Sequence, residues 1–502
     1  MQKYILSVDN GGTNIKAVLF DVRGHQIVTE KIPNNALNIA GGRREFDEEA
    51  LWKANSACIK NLIEKSEIRP EDICCIGVSG QGKGLYMVDS DGKPIRNAIT
   101  SSDLRADSYC VKWENDGTSD KVFDKILQHP IAGQTAPLLR WLKDEEPENY
   151  EKIKWVFSMK DYLVYKMTGK AVAGKGCQSG TCLVNLLTKE YDRELLEAFG
   201  ITEIEDKLPP LVWDTQICGY MTNEAAVECG CRPETPVAAG MFDVDAGVLA
   251  MGITDEKSLF MITGTCGVNG YVSYSPVTNG SVMFNSLYSL PDTYLIEDSS
   301  AASAGILEWV KKILVKGKMD GAEYHEINEM VDSIEPQNSK LIFLPTFHGF
   351  KHGGGEGSGI SRGAWIGLCA EHTDRELFRA VYEGVAFVHK MHYEHLVNNR
   401  EEPSTIKVAG GAANSRVWMQ LFADVLQMPV EVFENNEMSA KGTAIAASVA
   451  AGIYSDIEEA IEKMVQPGNI IYPRKEYAQI YAEKYERFKR VLNLMEAVWP
   501  LF

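Results

Sequence analysis

Two short bends, set about half a chain apart, combine glycine and threonine in a pattern suited to gripping phosphate. In the first, Asp9-Asn10-Gly11-Gly12-Thr13, a carboxylate stands where a strand ends. Gly11 and Gly12 lack a Cβ, so backbone amides can approach phosphate oxygens closely. Thr13 adds a hydroxyl donor, and Lys16 a positive charge from the returning strand. The second bend, Thr263-Gly264-Thr265-Cys266-Gly267, repeats the donors without a carboxylate at the position of Asp9. Together they can hold one polyphosphate from opposite sides, with magnesium on the Asp9 side and neutral donors on the other. Each bend alone is equally an ordinary hairpin turn, which Asn-Gly dipeptides commonly make. A pair flanked by strands is harder to obtain by chance.

Further along, Asp243 closes the apolar run Val237 to Phe242, and Asp245 follows two residues on. Phosphoryl transfer is mostly positioning and charge neutralisation, so its base need only accept a hydroxyl proton late, and an ordinary carboxylate suffices. Helix capping is the plainer role for an aspartate at such a point. Spacing alone does not choose between Asp243 and Asp245. A third glycine turn, Gly410-Gly411 after Ile406 to Ala409, lets a flat ring slide against backbone, with Gly442 as the opposite wall. Close strand–helix packing uses the same small residues.

The elements that must position these groups follow from apolar spacing. Tyr4 to Val8 and Ile15 to Phe20 read as strands around the first bend, Ser258 to Ile262 and Val268 to Tyr274 around the second. A helix is predicted over Glu48 to Lys65, from Leu51, Ala54, Cys58, Leu62 and Ile63. Ile73 to Ser79 is a buried strand opening into Gly80-Gln81-Gly82-Lys83-Gly84, with Leu85 to Asp89 a further strand. Leu138 to Lys143 and Met159 to Met167 read as helices, Pro236 to Phe242 as a strand with a helix from Ala246. In the second half the spacing predicts a strand over Lys340 to Leu344, a glycine-rich loop over Pro345 to Gly367, and helices over Glu376 to Leu396 and Arg416 to Leu426. This order argues for two related α/β domains facing across a cleft, 1–248 and 249–502.

Length supports the division, because 502 residues exceed what one core accommodates. A formal charge of −19, from 51 basic and 70 acidic residues, repels polyanions, which argues against nucleic acid or an anionic membrane as partner. Any phosphate must then be held by local geometry. The 11 cysteines show no paired CxxC spacing and no disulfide framework, as expected of a reducing compartment. With a strand entered within the first few residues and no apolar run of membrane-spanning length, a cytoplasmic location is expected.

The first bend with Asp9 and Thr13, the Gly80-Gln81 turn, Asp243, the Gly264-Thr265 turn, Arg362-Gly363-Ala364-Trp365-Ile366-Gly367-Leu368, and Ala409-Gly410-Gly411-Ala412-Ala413-Asn414-Ser415 to Ala423-Asp424 together resemble the FGGY carbohydrate kinases. The match runs through nearly the whole chain in order. It implies two actin-like, ribonuclease-H-like domains with sugar in the cleft and ATP mainly on the second domain. By position in Ala239-Gly240-Met241-Phe242-Asp243, the resemblance assigns the catalytic base to Asp243 and not to Asp245. It makes Asp9 the magnesium-linked aspartate. The phosphate loops become Asn10, Gly11, Gly12 and Thr13 with Gly264 and Thr265, and the adenine-side loop Gly410, Gly411 and Ala412.

Acceptor choice is read from departures. Xylulose kinases of the family usually carry Gly-Gln-Met-His-Gly in the first turn, and glycerol kinases an Arg-Glu pair after the Gln; here the turn is Gly80-Gln81-Gly82-Lys83-Gly84. Ser101-Ser102-Asp103-Leu104-Arg105 stands where Trp-Asn-Asp-x-Arg is common. This combination is similar to the L-xylulose kinase branch. Expected sugar contacts are Gln81, Lys83, Asp103 and Asp243, although Lys83 is equally a solvated loop cation and Asp103 with Arg105 an ordinary ion pair. The expectation is ATP- and magnesium-dependent phosphorylation of the terminal hydroxyl of a ketopentose, L-xylulose first, by a homodimer. D-xylulose, ribulose or glycerol are the alternative acceptors. An actin-like or heat-shock-type nucleotide switch is the reading from another class.

Overall fold

The computed structural model describes residues 3–314, 324–347, 361–434 and 437–502. Its frame is one sheet design used twice. Tyr4–Asn10, Asn14–Asp21 and Gln26–Pro33 form an antiparallel meander, and Ile73–Gly80 then Pro236–Phe242 add to its Tyr4 edge in parallel. In the second lobe Ser258–Thr263, Gly267–Ser273 and Tyr294–Ser300 form the meander, and Thr405–Ala409 then Val430–Val432 the parallel extension. Each extension ends in an antiparallel strand, Ile217–Tyr220 or Asn469–Ile471. This is the mixed α/β, two-lobed, actin-like architecture expected. The central strands read as continuous apolar runs because helices cover both faces: Ile5, Leu6 and Val8 are wholly buried, as are Leu259, Phe260 and Met261.

Two helices tie the lobes together. Asp243–Ala250 leaves the last parallel strand of the first sheet, yet Ala246, Val248 and Leu249 pack in one core with Phe260 and Val272 of the second lobe. Met438–Ala450, from the far end of the chain, places Ala440, Ala444 and Ala447 against Ile5, Val18 and Cys75 of the first sheet. Small side chains let the helices meet almost backbone to backbone.

Several expectations shift by a few residues. Asp9 and Asn10 lie within the first strand, so the bend proper is Gly11–Thr13. The helix expected from Ala246 begins at Asp243, in the first turn rather than before it. The expected loop after Leu344 contains a strand, Ala364–Ile366, antiparallel to Ile342–Leu344; residues 348–360 of that loop lie outside the described residues. The long helix Asp374–Val397 starts at a capping box, Thr373 with Glu376, a device that satisfies two otherwise orphaned amides. It carries Tyr382 to a stack on Trp418, with ring centroids 4.1 Å apart.

Candidate active site

The second bend and the strand ends flanking the first open onto one cavity of about 600 Å³, whose lining includes Asp9, Asn14, Gly264, Thr265, Gly410, Gly411 and Ala412. On the first-lobe side Asp9 stands opposite Lys16 in the strand register. Ser79 Oγ donates to Asp9 Oδ1 at 3.0 Å. Burial raises the Asp9 pKa against the opposing pull of Lys16 and Ser79. Lys16 Nζ and Lys31 Nζ, both on the cavity lining, each lie 2.9 Å from the Glu437 carboxylate.

The first bend is braced from outside. The Gly11 amide donates to Asn14 O at 3.1 Å, and Asn34 Nδ2 donates to Gly11 O at 2.9 Å. Gly12 and Thr13 are exposed, and a Cβ at Gly12 would meet nothing within 4 Å. Asn10 differs from expectation: its side-chain amide is fully buried in a reciprocal pair with Asn55, at 2.9 and 3.0 Å. It anchors the strand to helix Glu48–Ser66 and points no side-chain donor at phosphate.

The second bend is built on close backbone approach. Thr263 Oγ1 donates to Ala409 O at 2.9 Å, and Gly410 has φ = 103° with its would-be Cβ 2.7 Å from the Thr263 backbone. Thr265 is exposed above the start of helix Gly305–Leu314. Beyond it, Tyr382, Trp418, Asn328 and Ser415 extend the cavity. Ser415 Oγ and Tyr382 OH both donate to Asn328 Oδ1, at 2.6 and 3.0 Å. Gly442 is not the opposite wall expected, because it faces helix Asp243–Ala250; Met438 and Ser439 line the cavity instead.

Asp243 and Asp245 have different surroundings. Asp243 is half-buried at a helix start, and its pKa is pushed up to about 7 by burial first and the Asp9 charge second. Asp245 is 0% exposed, and neither carboxylate oxygen has a hydrogen-bond partner among the described residues. Burial first, and the Asp214 charge second, raise its pKa well above the usual range. Asp214 is itself pushed up to about 6 by burial and accepts from Ser289 Oγ at 2.6 Å.

Of the expected sugar contacts, Lys83 lines a second, smaller recess, and Gln81 stands two residues before it on the same turn. Gln81 Oε1 accepts from Ser101 Oγ at 3.3 Å while its Nε2 is buried without a partner among the described residues. Lys83 lies between the lobes with its ammonium 3.7 Å over the Phe284 ring, and is not a solvated cation. Asp103 is elsewhere engaged. Its Oδ1 accepts from the Arg105 amide and Nε at 2.8 Å, its Oδ2 from the Arg44 amide at 2.6 Å and Arg105 Nη2 at 2.9 Å. With both oxygens taken and no exposure, it fixes the Ser101–Arg105 loop in place of touching a sugar.

Lys160 and Glu297 carry no sequence signal. Lys160 is 0% exposed inside a helix, held by Ser158 Oγ at 2.9 Å and Asp161 Oδ2 at 3.2 Å, and its charge acts on Asp243. Glu297 lies mid-strand in the second lobe and becomes part of the recess only through tertiary packing.

No cluster of three or more His, Cys, Asp or Glu side chains among the described residues could cage a metal. Asp9 and Asp243 fit a different mode, in which one or two carboxylates share a hard cation with phosphate oxygens and water. No described helix is long and apolar enough to cross a membrane.

The N-terminal domain of the FGGY family of carbohydrate kinases matches residues 4–250, and its C-terminal domain residues 259–451. The L-xylulose/3-keto-L-gulonate kinase of Escherichia coli K12 is 34% identical, over 99% of this chain and 98% of the relative. A probable L-xylulose kinase of Pasteurella multocida is 32% identical over 99% of each chain. In fold, the ligand-bound xylulose kinase of Lactobacillus acidophilus matches with a TM-score of 0.89 at 23% identity, covering 100% of both chains.

Proposed function

We propose, because this chain belongs to the FGGY family of carbohydrate kinases, that it is a pentulose kinase transferring the γ-phosphoryl group of ATP to the terminal hydroxyl of L-xylulose. The observation that carries this reading is that Asp243 stands at a helix start within range of the Asp9 charge, while Asp9 lines the same cavity as Gly264 and Thr265 of the second bend. Relatives named for L-xylulose support the choice of sugar.

In this reading residues 1–248 form the acceptor side and 249–502 the nucleotide side. Asp243 accepts the hydroxyl proton as the oxygen attacks phosphorus; its raised pKa lets it hold that proton at neutral pH. Backbone amides at Gly12, Gly264 and Gly411, with the Thr13 and Thr265 hydroxyls, hold the phosphates, Gly11 shapes the first bend through its amide bond to Asn14 O, and Gly410 to Ala412 line the adenine side. Asp9, with Asp243 opposite, supplies oxygen ligands for magnesium, directly or through water. When bound, that ion neutralises charge developing on the phosphates. Gln81 and Lys83 hold sugar hydroxyls, whereas Asp103 is a positioning residue that sets the loop beneath them. A cytoplasmic homodimer completes the proposal, with sedimentation as the check on its size.

The test is a coupled ADP-release assay over L-xylulose, D-xylulose, L- and D-ribulose, alditols and glycerol. L-Xylulose should give the highest kcat/KM. ADP release independent of any acceptor would favour a nucleotide switch and remove the kinase reading, whereas preference for another pentulose would remove only the choice of sugar.

A further inference from the structure

A recess of about 20 Å³ lies at the lobe junction, lined by Gly82, Lys83, Gly176, Phe242, Phe284 and Glu297 among others. It has room for a single hydroxyl-sized group. Asp243 does not line it, although Phe242, its neighbour in sequence, does. A group entering here is therefore a part of the acceptor other than the reacting hydroxyl.

A buried, unfilled acceptor and an ammonium of opposite charge meet in this recess. Glu297 is 5% exposed, and its Oε1 has no hydrogen-bond partner among the described residues. A buried acceptor left unfilled costs about 1–3 kcal/mol, so such groups call for an explanation. Lys83 brings an ammonium that sits 3.7 Å over the Phe284 ring and within range of the Glu297 charge. Phe284 and Glu297 are directly paired across neighbouring strands, so both side chains emerge on one face of the sheet. The backbone of Lys83 sits at φ = 65°, a left-handed conformation that is unfavourable for a residue with a Cβ and tends to persist at functional sites. Strain there aims the side chain between the lobes.

We propose that Glu297 is a specificity-determining residue for the acceptor: its carboxylate accepts a hydrogen bond from a non-reacting sugar hydroxyl while Lys83 donates to the same oxygen or its neighbour. The inference deepens the kinase reading and rests on it. Lys83 comes from the first lobe and Glu297 from the second, so an acceptor held by both joins the lobes, and its binding favours the closed arrangement. A polyol lacking that hydroxyl leaves the Glu297 oxygen without its donor, which is a strong basis for rejection. An acceptor placing a carboxylate in the recess is repelled by Glu297.

The experiment compares wild type, Glu297→Gln and Glu297→Ala on the acceptor that wild type uses best, and on its monodeoxy analogues. Steady-state kinetics is read together with calorimetric binding of acceptor and of ATP. In Glu297→Gln the acceptor KM and Kd should rise about tenfold, as for loss of a charge-assisted hydrogen bond, with the ATP constants within about twofold. One monodeoxy analogue should be rejected about 100-fold by wild type and only a few-fold by either variant. Should Glu297→Ala fail to fold, Glu297→Gln carries the comparison alone, its fold checked by its melting curve. Variants that reject every monodeoxy analogue as strongly as wild type overturn the role of Glu297 and leave the kinase standing. A wild-type protein that binds and phosphorylates no acceptor overturns both.

Discussion

Gly442 lies so close to Ala246 that a Cβ on the glycine would fall 1.7 Å from the Ala246 carbonyl oxygen. The obstacle is backbone and cannot rotate away. The contact joins the helix that begins at Asp243 to the helix that packs on the first sheet, so Asp243, the proposed base, stands on an element tied to both lobes. Gly442→Ala should destabilise the protein by about 3 kcal/mol or more, at or above the upper end of ordinary overpacking. Urea denaturation followed by circular dichroism measures this, and an unchanged midpoint would show that the helices can part without cost.

The two neighbouring aspartates should separate cleanly on substitution. Asp243→Asn removes the proposed base, which lies within range of the Asp9 charge, so turnover should fall about 10²- to 10⁴-fold while ATP and acceptor still bind. Asp245 is buried beyond the cavity and holds its proton well above the usual carboxylate range, so Asp245→Asn replaces one neutral group by another and should keep turnover within about tenfold. Wild-type kcat/KM should also decline as pH falls through about 7, where Asp243 takes up its proton. Equal losses in the two asparagine variants would sink the distinction between them.

Stability should depend on pH through the same group of acids. Burial pushes Asp243 and Glu297 up to about 7 and Asp214 up to about 6, whereas the unfolded carboxylates titrate at about 4. Between these limits the folded chain binds more protons than the unfolded chain. The stabilisation is therefore full below about pH 4 for these groups and is lost as pH rises through 6 to 7. Without nucleotide or acceptor, the contribution of these acids makes Tm lower at pH 8 than at pH 6. Asp214→Asn, which keeps the shape without the ionisation, should narrow that difference; scanning calorimetry showing the full difference in the variant would exclude Asp214 as a contributor.

Much of this arrangement was legible because local chemistry and tertiary structure agree. Pro236–Phe242 and Arg416–Leu426 coincide with their expected bounds, one an apolar run ending at a polar residue, the other an amphipathic stretch behind a serine cap. The bends announced themselves through glycine beside threonine. What escaped was set by distant contacts. Nothing in Tyr294–Ser300 marks Glu297, whose recess neighbours Gly82 and Lys83 lie on a turn more than two hundred residues earlier. Asn10 was read with the bend because it adjoins Gly11, but Asn55 offers its amide a complete match one helix away. Asp103 carried the right chemistry for a sugar contact, and Arg105 with the Arg44 amide occupies it first.

The glycine turn of the second lobe gives the sharpest local test of the nucleotide side. Gly410 combines φ = 103° with a would-be Cβ 2.7 Å from the Thr263 carbonyl carbon and oxygen, so alanine there is opposed by both backbone strain and collision. Relief requires the Gly410–Ala412 turn to move away from Thr263, which shifts the wall of the large cavity and the strand end that carries Gly264 and Thr265. Gly410→Ala should therefore raise the KM for ATP about tenfold or more, with acceptor binding in the absence of nucleotide little changed, since Gln81, Lys83 and Asp243 lie on other elements. Calorimetric titration of ADP and of the acceptor separates the two effects. A variant with native ADP affinity would mean that the turn packs the strand without touching the nucleotide.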